Sequence, residues 1–88
     1  MIEKTLTIKN ELGIHARPAA LLVKTASGYN SNIYISKNGV EVNAKSIMGV
    51  LMLEAGCGTE VTLKIDGDDE TSALRELEEL IVERTFDE

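Results

Sequence analysis

One histidine in this chain stands where its chemistry is most easily used. His15 lies in the run Gly13-Ile14-His15-Ala16-Arg17-Pro18-Ala19-Ala20, at the point where a helical spacing of apolar residues begins. The N-terminus of a helix offers unpaired N–H groups and a partial positive charge, which together bind anions, phosphate above all. Arg17 adds a planar cationic group that matches phosphate oxygens. A lone histidine is by default structural or solvated, but a nucleophilic ring beside a phosphate cradle predicts a phosphohistidine site.

A serine precedes the second short helical run and has a plain structural interpretation. Ser46 stands before Ile47-Met48-Gly49-Val50-Leu51-Met52-Leu53, and serine is among the preferred N-cap residues. A phosphate at an N-cap is well tolerated, because its charge faces the positive end of the helix dipole. Ser46 is therefore predicted to be an N-cap that also tolerates phosphorylation.

The run that follows Ser46 is apolar on nearly all sides. A helix of two turns on a one-sided sheet cannot bury every one of these residues. We expect Val50 and Leu53 to face the core, and Ile47, Met48 and Leu51 to be at least partly exposed. An exposed apolar cluster with flexible methionine indicates a partner surface, whereas a locally thicker core or simple exposure is the alternative.

Hydrophobic periodicity predicts the elements that must position these residues. Alternating residues at 2–8 form a strand, and a turn at 10–13 leads to the first helix, which stops at Ser27-Gly28. Asn38-Gly39 joins strands 32–37 and 40–43 in a hairpin that sets Ile35 opposite Val42. A fourth strand directs Val61, Leu63 and Ile65 inward. The predicted inward residues of the two longer helices are Ala16, Ala19, Ala20, Leu22, Val23 and Ala26 in the first, and Ala73, Leu74, Leu77, Leu80 and Ile81 in the last.

The resulting element order, βαββαβα, defines the fold class. Each strand has one apolar face, so the four-stranded sheet should be antiparallel, with three helices on one face and water on the other. This is a two-layer α+β domain, an open-faced β-sandwich, and residues 1–88 suffice for one such domain. Periodicity does not fix the strand order.

Composition excludes several classes of function. The net charge of −6 argues against nucleic-acid binding, and no apolar stretch approaches the roughly 18 residues of a membrane span. Without a signal-peptide pattern or a partner for Cys57, the chain is expected in the reducing cytoplasm. No cofactor or metal site is expected, and the acids near Asp68 are interpreted as helix caps. Residues 1–49 carry six basic and three acidic residues, which leaves the acidic excess in residues 50–88.

Two motifs carry a resemblance to a known family. Gly13-Ile14-His15-Ala16-Arg17-Pro18-Ala19 resembles the active-site motif of the HPr family, the histidine-containing phosphocarriers of the phosphoenolpyruvate:sugar phosphotransferase system. Lys45-Ser46-Ile47-Met48-Gly49-Val50 resembles the second motif of that family, at the same separation. The similarity extends through the whole chain and includes the βαββαβα order.

The resemblance implies roles for particular residues. His15 would accept a phosphoryl group on Nδ1 from the phosphohistidine of enzyme I and pass it to an enzyme IIA, while Arg17 balances the phosphate charge. Ser46 would be the target of an HPr kinase/phosphorylase. Both phosphotransferase partners would contact Ile47, Met48 and Leu51, with basic residues around them. The other predicted partner-binding residues are Lys24, Lys45, Ala16 and Ala20.

Several alternatives stay open at this point. The chain is expected to be a monomer, and either a sugar-transport branch or a nitrogen-related regulatory branch would suit such a carrier. A binding module that recruits a transcriptional regulator through phosphorylated Ser46 is a second alternative. An unrelated ligand-binding α+β domain is a third, which the 3% aromatic content disfavours. The sugar, the presence of a Ser46 kinase, the roles of Glu54 and Cys57, and the order of the acidic tail 85–88 are not determined.

Overall fold

The computed structural model describes residues 1–87, so Glu88, at the end of the acidic tail, lies outside the described residues. The strands are β1 (Ile2–Thr7), β2 (Asn32–Lys37), β3 (Val40–Asn43) and β4 (Glu60–Asp66). The helices are α1 (Ala16–Ser27), α2 (Ile47–Met52) and α3 (Glu70–Glu78). The predicted element order and the predicted α+β class are confirmed.

The four strands form one antiparallel sheet in the order β1-β4-β2-β3. The hairpin register is as predicted, because Ile35 pairs with Val42 and Lys37 pairs with Val40 across the Asn38-Gly39 turn. Val40 lies on the same face of the sheet as Ile35 and Val42 but is 57% exposed, since it stands at the turn end of an edge strand. The core therefore sits over the central strands.

Apolar side chains from the covered face of the sheet meet those of the helices. Val61, Leu63 and Ile65 of β4 are buried, as are Ile33 and Ile35 of β2. Burying a side chain of this size stabilises a fold by roughly 1.5–3 kcal/mol. Alternate positions of these strands are polar, and that face of the sheet is left open to solvent.

The inward face of α1 is narrower than predicted. Ala19, Leu22 and Ala26 are buried and Val23 is half-buried, but Ala16 and Ala20 are exposed. The prediction that these two alanines face the core is wrong. The side chains that pack against the core are those at positions 19, 22 and 26. Residue 20 lies beside this row, and residue 16 is the first residue of the helix.

The last helix continues into two segments that the sequence did not predict. Ala73, Leu77, Leu80 and Ile81 are buried as expected and Leu74 is half-buried. At Glu79–Glu83 the helix becomes π-helical, with Arg84 N donating to Glu79 O at 2.8 Å. A turn of three left-handed residues, Thr85–Asp87, follows, and it buries the Phe86 side chain.

One of the acidic residues predicted to cap α3 stands at the cap position but does not bond as a cap. Asp69 occupies the N-cap position but makes no side-chain cap hydrogen bond. Its carboxylate instead accepts hydrogen bonds from Ser31 Oγ at 2.5 Å, Asn30 N at 2.8 Å and Ser31 N at 3.0 Å. These donors, the Ser31 hydroxyl first, hold the pKa of Asp69 below its ordinary value. The acid therefore ties the start of α3 to the loop before β2.

Two further observations bear on function. No helix within residues 1–87 is long and apolar enough to cross a bilayer. The same residues contain no group of three or more His, Cys, Asp or Glu side chains placed to hold a metal ion.

Candidate functional site

His15 is the N-cap residue of α1, as the spacing predicted. Its backbone is extended, with φ −107° and ψ −159°, and its carbonyl accepts the first helical hydrogen bond from Ala19 N at 2.8 Å. Its side chain makes no cap hydrogen bond and is exposed. The first N–H groups of a helix lack intrahelical partners, so this position combines an accessible imidazole with an anion-binding terminus.

The loop before His15 is locked against a second loop. Ile14 N donates to Ala55 O at 2.8 Å. Gly13 has φ +71°, and a Cβ at this residue would lie 2.5 Å from Ala55 O and 2.6 Å from Gly56 Cα. Only glycine satisfies both the positive φ and this close approach. The backbone that precedes His15 therefore packs directly against residues 55–56.

This contact gives the 54–57 stretch a structural role that the sequence did not reveal. Glu54 turns the chain at the end of α2 with φ +51°. Lys37 Nζ donates to Leu53 O at 3.0 Å and to Glu54 O at 3.1 Å, so the cation binds the free carbonyls after α2. Cys57 is exposed, and its Sγ lies 3.7 Å from Lys9 O.

A buried asparagine holds the same loop from inside, and sequence reasoning missed it as a site residue. Asn10 is fully buried, and its Nδ2 donates to Gly13 O at 2.5 Å. The backbone closes the turn as well, because Gly13 N donates to Asn10 O at 3.1 Å and His15 N donates to Gly13 O at 3.2 Å. Asparagine commonly forms such side-chain bonds in turns, which was the only signal available.

Arg17 is exposed and reaches the C-terminal turn. Its Nη1 donates to Phe86 O at 3.2 Å, a contact between residues 69 positions apart. The structure also brings Arg17 and His15 to one depression of about 170 Å³, with the C-terminal turn as its far wall. The residues that line it are Asn10, Leu12, His15, Arg17, Pro18, Thr85 and Phe86.

Ser46 caps α2 as predicted. Its backbone is extended, and its Oγ accepts a hydrogen bond from Gly49 N at 3.2 Å. Val50 and Leu53 are buried below the helix. The expected exposure of its other side chains is also confirmed, with Ile47 and Met48 exposed and Leu51 half-buried.

The exposed apolar surface is larger than predicted. Met52 is 72% exposed on α2, and Leu12 is 71% exposed in the loop before His15. α2 packs against α1, so their exposed residues lie on neighbouring helices. We call this set the α1–α2 surface: Ala16, Ala20, Ile47, Met48 and Met52.

The two predicted basic partner residues differ in their surroundings. Lys24 is exposed in the last turn of α1. Lys45 is half-buried, and its Nζ donates to Tyr29 O at 2.7 Å, just beyond the end of α1. The Lys45 ammonium is thus engaged by the chain itself, whereas Lys24 presents its charge to solvent.

Comparison with known proteins gives matches over nearly the whole chain. The family model described as "PTS HPr component phosphorylation site" matches residues 2–83. The chain is 51% identical over 84 residues to the phosphocarrier protein HPr of Xylella fastidiosa strain Temecula1, a match that spans 96% of this chain and 94% of that protein.

Two solved structures are similar as well. HPr-C-His of Thermoanaerobacter tengcongensis has 50% sequence identity and a TM-score of 0.95, over 100% of this chain and 98% of that one. Crh of Bacillus subtilis, a catabolite repression protein whose crystal structure is a dimer with a swapped domain, has 42% identity and a TM-score of 0.76. That match covers 94% of this chain and 95% of the other.

Proposed function

Because the chain belongs to the HPr family of phosphocarriers of the phosphotransferase system, we propose that it carries a phosphoryl group on His15 from enzyme I to an enzyme IIA. The observation that supports this most is the exposed His15 ring at the N-cap of α1, beside Arg17. The imidazole has no cap bond of its own to break, and the helix terminus offers N–H groups to an incoming phosphate.

The transfer itself needs little beyond positioning and charge. The Nδ1 lone pair of His15 attacks the phosphorus of the phosphohistidine of enzyme I, and the P–N bond to enzyme I breaks as the new one forms. The second transfer repeats the exchange, with a histidine of enzyme IIA as the attacking group. Phosphoryl transfer depends mainly on in-line geometry and electrostatic stabilisation, which the α1 N-terminus and Arg17 supply. We assign no cofactor or metal to this chain.

The α1–α2 surface is our proposed docking site for both enzymes. It lies on the helix that begins after His15 and on the helix packed against it, and its small alanines and flexible methionines can adapt to more than one partner. Lys24 adds a solvent-exposed positive charge, and half-buried Leu51 and Lys45 complete the residues that we assign to this docking site. We propose a cytoplasmic monomer, because the exposed apolar area is then available to these partners.

Regulation through Ser46 is the second part of the proposal. A phosphate there would stand at the N-cap of α2, directly before Ile47 and Met48, without displacing a buried group. Its charge would disfavour docking of enzyme I. We assign the modification to an HPr kinase/phosphorylase, after which the protein would bind a transcriptional regulator. The similarity to Crh supports a regulatory role, but the intact pair of His15 and Arg17 favours transfer.

Transfer is tested with purified enzyme I and phosphoenolpyruvate. The protein should gain one acid-labile phosphate, His15→Ala should gain none, and Ser46→Ala should gain as much as the wild type. A label that survives His15→Ala would overturn the assignment.

The same phosphorylated protein separates the two branches. Rapid transfer to a sugar-specific enzyme IIA, and not to a nitrogen-related one, supports the sugar-transport branch that we propose. The opposite preference would assign the chain to the regulatory branch.

A further inference from the structure

Asn10 has a feature that a purely structural turn residue does not need. Its side chain is buried, and within residues 1–87 its Oδ1 is the one buried side-chain oxygen or nitrogen without a hydrogen-bond partner. The orientation of the amide is set by its neighbour, because the Gly13 carbonyl can only accept and so must face Nδ2. The unpaired atom is therefore an acceptor.

An unpaired buried acceptor lowers stability. Such a group gives up its hydrogen bonds to water and gains no protein partner in exchange. A leucine has the same branched shape and carries no acceptor. A buried unpaired atom of this kind requires a specific explanation. One explanation is that it binds a hydrogen-bond donor in another state of the protein.

The surroundings of Asn10 indicate which group that is. Asn10 lines the same depression as His15 and Arg17. Arg17 already donates to the Phe86 carbonyl, whereas the exposed His15 ring makes no cap hydrogen bond. Nδ1 has a lone pair for the attack only when the ring hydrogen is on Nε2, and the phosphoimidazolium that forms keeps this N–H, which needs an acceptor.

We propose that Asn10 is a positioning residue for His15. Its Nδ2 holds the Gly13 carbonyl and hence the backbone that presents the ring, and its Oδ1 accepts a hydrogen bond from the ring N–H of phosphorylated His15. This inference rests on the proposed function. The Asn10 carboxamide would then make two hydrogen bonds. The bond to Gly13 O is present in the unphosphorylated protein, and the bond to His15 forms only after phosphorylation.

Asn10→Leu separates this role from a structural one. Leucine has the same branched shape with slightly larger terminal groups, and it removes both the unpaired oxygen and the Nδ2 donor, while Gly13 O still accepts from His15 N. Loss of the Nδ2 hydrogen bond and removal of the unpaired oxygen have opposite effects on stability. We therefore expect the free energy of unfolding to change little, while phosphorylation of His15 slows by about five- to tenfold, the equivalent of one hydrogen bond. Phosphoramidate as the donor removes partner binding from this measurement.

Ser31→Ala is the matched control. Ser31 is also buried and bonded, through Oγ to Asp69, but it lies beyond the far end of α1 from His15. This variant should lose stability and transfer phosphate at the wild-type rate. Equal rates for Asn10→Leu and wild type, or slowing of both variants in step with their stability, would overturn the proposal.

Exchange of the imidazole N–H provides an independent readout. In the phosphorylated wild type, nitrogen-edited NMR should show this proton protected from solvent, and in phosphorylated Asn10→Leu it should exchange freely. Equal exchange would mean that Oδ1 binds only water and would overturn the assignment. Failure of the wild type to accept phosphate would instead refute the proposed function.

Discussion

At the scale of single residues, Arg17 donates its hydrogen bond to a neutral acceptor, although the nearby Asp87 carboxylate, whose pKa is lowered by Arg84 and also by Arg17, feels its charge. The Phe86 carbonyl accepts one N–H of the Arg17 guanidinium at 3.2 Å, and both residues border the depression beside His15. Hydrogen bonds between a guanidinium and phosphate oxygens are stronger than those to a neutral carbonyl. We therefore expect Arg17 to exchange Phe86 for the phosphoryl group when His15 is loaded.

Arg17→Ala should affect transfer much more than stability. The loss of one partly buried hydrogen bond costs about 0.5–1.5 kcal/mol of unfolding free energy, whereas the missing charge should slow transfer by roughly tenfold or more. Stopped-flow phosphorylation and urea unfolding measure the two effects. Arg75→Ala, which removes an exposed cation from α3, should change neither appreciably. If the phosphorylation rate of Arg17→Ala fell only in proportion to its free energy of unfolding, the role of Arg17 would be structural.

Some site residues could be predicted from the sequence and others could not. His15 and Ser46 were predictable because each immediately precedes a run with helical spacing, which is local information. Asn10 and Phe86 were not, because their roles depend on contacts that form only after folding. The Arg17–Phe86 bond joins residues 69 positions apart, and no local pattern encodes it.

At the scale of elements, α2 depends on its cap more than a long helix would. It spans only Ile47–Met52, and the Ser46 hydroxyl supplies the acceptor for Gly49 N. Short helices have few internal hydrogen bonds, so capping is a large part of their stability. The residue that begins the proposed docking helix is thus the one proposed for regulation.

Two substitutions at Ser46 should separate capping from charge. Ser46→Ala should lower the unfolding free energy by about 1 kcal/mol and leave binding of enzyme I nearly intact. Ser46→Asp should retain the cap and the stability but weaken that binding, because it adds charge beside Ile47 and Met48. Calorimetric titration and thermal unfolding test the pair. Ser72→Asp, on the first turns of α3, controls for charge alone, and unchanged affinity in Ser46→Asp would count against the docking surface.

Features of the helices and strands that follow from a local sequence rule were predicted correctly, whereas features that depend on tertiary packing were not. The Asn38-Gly39 dipeptide fixed the register of β2 and β3. The width of the inward face of α1 and the π-helical segment at Glu79–Glu83 depend on how the helices meet the sheet. The C-terminal turn contains the left-handed residues Thr85, Phe86 and Asp87. It could not be predicted because none of them is a glycine, the residue that usually indicates a positive φ.

At the scale of the whole molecule, the order of the strands in the sheet could not be predicted from the sequence pattern. Every strand has one apolar face, so several antiparallel orders would bury the same residues. The observed order places β4 between β1 and β2 and leaves β3 at an edge. Tertiary ties such as the Asp69 carboxylate with Asn30 and Ser31 connect distant parts of the chain and help to select it.

The Asp69 contacts predict how stability depends on pH. Hydrogen bonds from Ser31 Oγ and from two backbone N–H groups lower the pKa of Asp69 below its ordinary value of 3.8. A carboxylate with a depressed folded-state pKa contributes stability that is present above its unfolded value and lost as the pH falls through the folded value. Asp69→Asn should therefore be less stable than wild type at neutral pH, and the difference should shrink below pH 3.8.

Urea unfolding at several pH values measures this effect. Asp68→Asn removes the same charge from the neighbouring exposed position and serves as the control for net charge. A difference between wild type and Asp69→Asn that stays constant from neutral to acid pH would show that the Asp69 hydrogen bonds do not carry the effect.

If the imidazole of His15 carries the phosphoryl group, phosphorus NMR of the nitrogen-15-labelled protein detects the bond between them. After incubation with enzyme I and phosphoenolpyruvate, we expect one phosphorus signal coupled to Nδ1 of His15. A phosphorus signal from a phosphate on oxygen, at Ser46 or elsewhere, with the His15 nitrogens unchanged, would contradict this expectation.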